Sequence, residues 1–396
     1  MRIADLDHAF LQLDGWIDGN GWAGYDPYDV RGQDWFALPL RNGGKLTRKV
    51  RGLLTICELN LPPYALRKAL RVKKQINAKG MGLMASAHLT RYRTHHDPAS
   101  LRKAESILDW LALNACKDYP GISWGYPFHW HSRIFIPKGT PSIVVTGTVG
   151  DAWLDHYEIT GAQKSLEICN QIAEFLLRGL NRSFARSDRF CFSYTPIDHF
   201  KVHNANLFGA AFLARLAKVS GSNEHKESSI KATRYTLSEQ NSDGSFYYWG
   251  SEAPTIIDHY HTGFVLRHLD TVHRMLNLRE LAVPLRRGFD FYAQELFTTA
   301  GIPKFTPKHL HPIDIHSCAE ALLCLGQLGP RFGMLDRVGP VFDFTEAHMK
   351  SEQGWYVAML RRRWWGIQRI AIPYLRWSEA WMLLALARLR YVFQNL

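Results

Sequence analysis

Apolar residues along this chain recur in a two-part pattern. A helix-length run that is apolar or small on nearly all sides is followed, after a short break, by a run with charges on one face. Runs of the first kind are read at residues 82–92, 148–158, 204–219, 262–275, 317–328 and 378–389. Runs of the second kind are read at residues 99–115, 162–177, 224–240, 281–296 and 335–349. A helix that is apolar all round is buried, and one with a charged face lies outside it. A Gly-aromatic or aromatic turn follows each outer run, as at residues 121–124 and 243–246. The unit repeats every 55–65 residues, room for two helices and a loop.

Six such units predict an inner ring of helices inside an outer ring, an all-α (α/α)6 toroid. The sixth inner run has no partner after it. A basic helix predicted at residues 64–78 precedes the first inner run and supplies the missing outer element, which favours a closed ring over an open solenoid. A further helix is read at residues 45–58, closed by Pro62 and Pro63. Residues 1–44 are Gly-rich and aromatic, too irregular for a helix after about Leu13, with turn chemistry at Asp26, Pro27 and Asp29. They are read as an arm packed on a single toroid domain of residues 45–396.

Composition changes this picture little. A hydrophobic fraction of 46% with 13 Trp, 16 Tyr and 21 Phe is ample for a large core. The net charge of +12 raises the odds of an anionic partner. The six cysteines form no CxxC pair, and Cys169, Cys318 and Cys324 fall in apolar runs as buried thiols. The N-terminal residues lack a signal-peptide pattern, and no apolar run is long enough to span a membrane. The expected location is the cytoplasm, with peripheral membrane association open.

The candidate chemistry lies in the loops that lead into the inner helices, which a ring brings to one end. These loops hold His129, Trp130, His131 and Arg133; Asn204 after His203; Asp258, His259, Tyr260 and His261; Asp314 and His316; and Arg376, Trp377 and Glu379. Ten of the 18 histidines lie in or beside them. Converging acids, bases, cations and aromatic faces suit a sugar with an anionic group. The structural alternative is that Asp258, Asp314 and Asn204 cap the helices they precede. Asp258, His261 and His316 have the donor atoms of zinc or manganese ligands, but no HExxH or CxxC pattern supports a metal, and no cofactor is expected. There is no Walker loop, no GxGxxG and no duplex-reading motif, so nucleic acid is not expected. The basic-aromatic run Arg361 to Trp365, with Arg369 and Arg376, suits an anionic polymer, a lipid-linked diphosphate or a membrane surface.

The run QNSDGSF at residues 240–246 resembles the glutamine-aromatic repeat of squalene cyclases, where it ties helix ends together. The protonating DxDD motif of those enzymes is absent, as are the zinc pattern of lanthionine cyclases and the aspartate-rich motifs of prenyl transfer. More widely, GYDPYD (24–29), PKGTPSIVVTGTV (137–149), SYTPIDHFKVHNANLFGA (193–210), QNSDGSFYYWG (240–250) and IDHYHTGFVL (257–266) resemble bacterial proteins found with surface-polysaccharide biosynthesis genes. That resemblance implies an α/α toroid of the six-hairpin glycosidase or prenyltransferase type. DHYHT at residues 258–262 is similar to a DYHT stretch of uronyl C5-epimerases.

The expectation is therefore a glycan-modifying enzyme acting on a glycan or lipid-linked sugar by acid–base chemistry at a sugar carbon. His261 is the base oriented by Asp258, with Tyr260 or His316 as the opposing acid. Arg133 and Arg376 neutralise a carboxylate, and His129, Trp130, Asn204, Asp314 and Trp377 bind substrate. Hydrolysis would instead use two facing carboxylates, Asp258 with Glu379 or Glu320. The alternatives are a non-catalytic glycan-binding subunit of a synthesis complex and, more remotely, a terpenoid or prenyl enzyme.

Overall fold

The computed structural model describes residues 1–250 and 255–396. Residues 251–254, part of the aromatic stretch that leads to Asp258, lie outside the described residues. Six inner helices run Ala78–His95, Ile143–Thr160, His203–Ser220, His259–Leu276, Ile315–Phe332 and Ala380–Gln394. Each packs on the next, and the sixth packs on the first, so the ring is closed. Their shared core includes Leu83, Leu154, Phe212, Leu269, Leu325 and Leu386. The outer helices Pro98–Leu113, Gln163–Glu174, Asn223–Leu237, Ala282–Glu295 and Val338–His348 each pack on the inner helix before them. The chain is thus an (α/α)6 toroid.

The hairpins share their punctuation. The first five inner helices end on a left-handed residue: His96, Gly161, Gly221, Asn277 and Gly333. That conformation stops the helix and turns the chain outward. At the other end of the hairpin, Gly244 has φ of +93°, and a Cβ there would lie 2.4 Å from the carbonyl oxygen of Arg287. Only glycine fits. Gln240 Nε2 donates to the carbonyls of Gly244 and Pro284, both at 2.9 Å, tying one outer helix to the next as the glutamine-aromatic resemblance implies.

The element that closes the ring differs from expectation. Residues 64–78 hold only a short helix, Pro63–Ala69, after which Gln75 bridges to Gly24. The outer partner of the sixth inner helix is Ile3–Asn20, which extends well past Leu13. Leu6, Ala9, Phe10, Leu13 and Ile17 form a helical stripe buried in the main core. Glycines at 15 and 19 make this segment look irregular, but neither meets another atom within 4 Å of a built Cβ, so they weaken the helix without being needed for packing. The helix at Lys45–Asn60 forms as expected but buries no residue.

If Ile3–Asn20 is a ring member, Leu13→Ala costs about 2–5 kcal/mol of unfolding free energy in urea melts. Leu46→Ala, at a position 74% exposed, costs less than about 0.5 kcal/mol. Equal losses would remove Ile3–Asn20 from the ring.

Candidate functional site

The inner helices begin at one end of the ring, and their caps assemble there. Asn77 accepts from Lys79 N, Ser142 from Val145 N, Asp258 from His261 N and Asp314 from His316 N. The capping expectation for Asp258 and Asp314 therefore holds. Asn204 is no cap: it is the second residue of its helix, whose start is set by Val202 bridging to Trp249. Its Oδ1 is buried without a partner. Asn204 lines a chamber of about 10 Å³ together with His203, Tyr248, Asp258, His261 and Thr262.

Asp258 does more than cap. Oδ1 accepts from the His261 amide at 2.9 Å, and Oδ2 lies 2.6 Å from His261 Nδ1. The carboxylate fixes the imidazole with Nδ1–H toward it, which leaves Nε2 as the basic end. Rings of Tyr248 and Tyr260 stand 4.3 and 4.2 Å from the imidazole and hold it from rotating. The His261 side chain remains 21% exposed, so the dyad is reachable.

His316 and Trp377 complete this wall. The His316 ring stacks on Tyr260 at 4.7 Å and meets Trp377 edge-on at 4.5 Å. Both His316 ring nitrogens are buried without a hydrogen-bond partner. Burial, then the nearby Lys79 and Arg376 cations, hold His316 neutral, well below the usual imidazole range. Burial, then the Asp258 charge, keep the Tyr260 hydroxyl protonated. Asp314 Oδ1 accepts from Trp377 Nε1 at 2.9 Å as well as from the His316 amide. Burial raises the Asp314 carboxyl from its ordinary 3.8 to about 6.

The other expected residues are placed less centrally. Trp130 stacks with Tyr126 and tilts against Tyr194, extending the aromatic wall. The Arg133 guanidinium lies 4.2 Å over Trp249. His129 uses both ring nitrogens, one on Asp34 and one accepting from Lys138 N, each at 3.0 Å. Arg376 is buried and clamps Asp26 with two bonds of 2.6 and 2.7 Å, so its charge is already matched. Glu379 is fully buried and accepts from the Tyr356 amide at 3.0 Å, and burial holds its carboxyl well above the usual range. Glu320 is fully buried against Arg267 at 2.6 and 2.9 Å.

Two features escape the sequence reading. Residues 25–30 close over the mouth: Asp26 holds Arg376, and Tyr28 stacks on Phe128 and meets Trp377 edge-on. Lys79, in the first turn of the first inner helix, is buried with Nζ 5.1–5.6 Å over Phe208, Phe264 and Trp381. Burial, then Arg376, push its ammonium well below the usual range. Lys79 lies just before the run read at residues 82–92, so that run gave no signal of it.

The opposite end of the ring holds a cavity of about 500 Å³. Arg215 there is held by Asp151, Asp155 and Glu158 at 2.8–2.9 Å, and Arg388 joins Asp155. These charges are matched among themselves, whereas the mouth holds unpaired polar atoms. Among the described residues no group of three His, Cys, Asp or Glu side chains is placed to hold a metal ion.

No protein-family model matches the chain, and no curated protein sequence matches it. Solved structures do. Cellobiose 2-epimerase from Bacillus thermoamylovorans B4167 superposes with a TM-score of 0.61 at 11% identity, covering 81% of this chain and 88% of that one. The Lin0763 protein from Listeria innocua gives 0.66 at 14%, covering 100% and 99%. An unsaturated glucuronyl hydrolase specific for heparin gives 0.63 at 11%, covering 99% and 97%. At such identities the likeness is one of fold, and it agrees with the toroid described above.

The raised Asp314 carboxyl has a pH consequence. A carboxyl held above its unfolded value favours the folded state at low pH, and that contribution is lost as pH rises through about 6. The loss is roughly 3 kcal/mol. Asp314→Asn keeps the Oδ1 acceptor and removes the titration. Its stability relative to the native chain should therefore rise by about 1–1.5 kcal/mol between pH 5 and pH 8 in urea melts. A difference that does not move with pH would mean Asp314 is ionised throughout.

Proposed function

We propose that this chain is a carbohydrate-active enzyme working by acid–base chemistry at a sugar carbon. Uronate epimerisation or elimination on a glycan or lipid-linked sugar is the reaction type, and polysaccharide biosynthesis is the setting the sequence resemblance suggests. The observation that carries the reading is the Asp258–His261 dyad, 2.6 Å apart and partly open, in a mouth walled by tyrosine and tryptophan. The epimerase and glucuronyl hydrolase that share the fold act, by their names, on sugars, which supports the substrate class.

In this reading His261 Nε2 takes the proton from the carbon next to a carboxylate. Asp258 stabilises the imidazolium that forms. The excess electron pair spreads into the substrate carboxylate, which needs a cation or a hydrogen-bond donor. The two arginines for that role are Arg133, which lies over Trp249, and Arg376, which also clamps Asp26. Tyr260 or neutral His316 returns a proton from the other face for epimerisation, or a neighbouring substituent leaves for elimination. The aromatic wall takes the C–H face of the ring. A chamber of about 10 Å³ beside the dyad holds a water rather than a hexose, so binding requires the groups around the dyad to move apart.

The carboxylates weigh against hydrolysis. Glu320 is taken up by Arg267, and Glu379 is fully buried and accepts from the Tyr356 amide. Neither is arranged as the partner of Asp258 that two-carboxylate hydrolysis needs.

Uronate-containing oligosaccharides incubated with the protein in deuterated water should, by mass spectrometry, either gain one deuterium at a sugar carbon (epimerisation) or yield an unsaturated uronate (elimination). Asp258→Asn keeps the cap but cannot hold the imidazole in the same tautomer. It should lower either reaction by roughly 10²–10⁴-fold with unfolding free energy within about 1 kcal/mol of native. Turnover that yields neither deuterium uptake nor an unsaturated uronate, or full activity in Asp258→Asn, would refute the reading.

A further inference from the structure

The positive charge of this chain is concentrated in two segments. Residues 45–74 and 361–369 hold 13 of the 48 Lys and Arg but only one of the 36 Asp and Glu, Glu58. The remaining 35 basic and 35 acidic residues cancel, so the whole net charge of +12 belongs to these segments. They are neighbours in space. Arg361 and Arg363, on the first strand of the hairpin Met359–Arg363 and Gly366–Ile370, both donate to the carbonyl of Leu59, at 2.7 and 2.5 Å.

The same face is unusually apolar. In helix Lys45–Asn60, Leu46, Val50 and Leu53 recur at helical spacing and are 74%, 38% and 63% exposed. At the hairpin turn Trp364 and Trp365 are 92% and 59% exposed. Of the 21 large hydrophobic side chains exposed among the described residues, ten lie within residues 46–64 and 364–367. Exposed apolar surface gathered this way marks an interaction site.

We infer that this face docks on the surface of an anionic lipid bilayer. The leucine stripe and the tryptophan pair enter the headgroup boundary, and the surrounding lysines and arginines meet lipid phosphates. Charge selects this occupant. Two copies of the chain meeting through this face would bring two +12 surfaces together. A nucleic acid backbone would satisfy the cations but leave the aliphatic stripe in water. A bilayer of acidic phospholipid satisfies both halves. Among the described residues no helix is long and apolar enough to cross a membrane. The face adjoins the mouth, because Arg67 of the basic segment bonds Asp29 in the arm whose Asp26 holds Arg376. The inference does not depend on the reaction proposed above.

The test is sedimentation of the full chain with vesicles of phosphatidylcholine, with and without phosphatidylglycerol, at low and high salt. Binding is expected only with phosphatidylglycerol and should fall with salt. Lys49→Gln with Arg362→Gln should lower partitioning by roughly tenfold to thirtyfold. Trp364→Ser with Trp365→Ser should lower it about tenfold or more. Leu113→Ser, exposed on an outer helix, should leave it unchanged. All these positions are partly or fully exposed, so folding is preserved and is checked by melting. Absence of binding to phosphatidylglycerol vesicles, equal binding to neutral ones, or native binding by both double variants would overturn the inference. So would a dimer in light scattering that the tryptophan variant breaks while vesicles are ignored.

Discussion

Because each inner helix is followed by an outer helix that returns the chain to the same end, all six inner helices run in one direction. Their unsatisfied N–H groups therefore collect at one end of the ring. Those amides need acceptors, and Asn77, Ser142, Asp258 and Asp314 provide them. The parallel helix dipoles also make this end positive, which favours carboxylates twice over, as caps and as charges in a field. Capping and chemistry then compete for the same few residues. A side chain placed there to end a helix is also a side chain placed at the mouth, and a carboxylate has two oxygens with which to serve both needs.

The repeat was legible because the two helices of each pair solve different burial problems and carry different polarity. The boundaries were legible where a left-handed glycine ends an inner helix, as at Gly161 and Gly221. The closing helix was not, because Gly15 and Gly19 with Asp14 and Asp18 obscure a stripe of Leu6, Phe10, Leu13 and Ile17 that was present all along. In the site, Asp258 with His261 was legible as a local relation three residues apart at a helix start. The clamp of Arg376 on Asp26 was not, since it joins residues 350 apart and leaves no local trace. The capping alternative for Asn204 does not hold, because the bridge of Val202 to Trp249 sets the helix start at His203.

Charge is managed differently along the axis. Toward the far end, arginines and carboxylates from facing inner helices neutralise one another, as Arg215 does with three acids from the second inner helix. Such matched networks can be buried because no charge is left without a partner. At the mouth, the Arg376–Asp26 pair stands beside groups held uncharged. His316 is kept uncharged, Tyr260 keeps its proton, and Lys79 is held over aromatic faces. Unpaired polar atoms there, on His316 and Asn204, cost stability, and an outside molecule bound at the mouth could supply their partners.

Asp258 and Asp314 show how one structural duty can lead to two different outcomes. Both cap an inner helix. Asp314 also receives the indole N–H of Trp377, so it fixes an aromatic wall, and its burial lets it take a proton near pH 6. Asp258 turns its second oxygen to an imidazole on its own first helical turn. The helix fixes the carboxylate, the carboxylate fixes the ring, and Tyr248 and Tyr260 prevent the ring from turning away. Asp258, Tyr260 and His261 are set by the start of one inner helix, and Tyr248 closes on the ring from the loop before it. A base built in this way is in place before substrate arrives, and its orientation costs nothing further when the substrate binds.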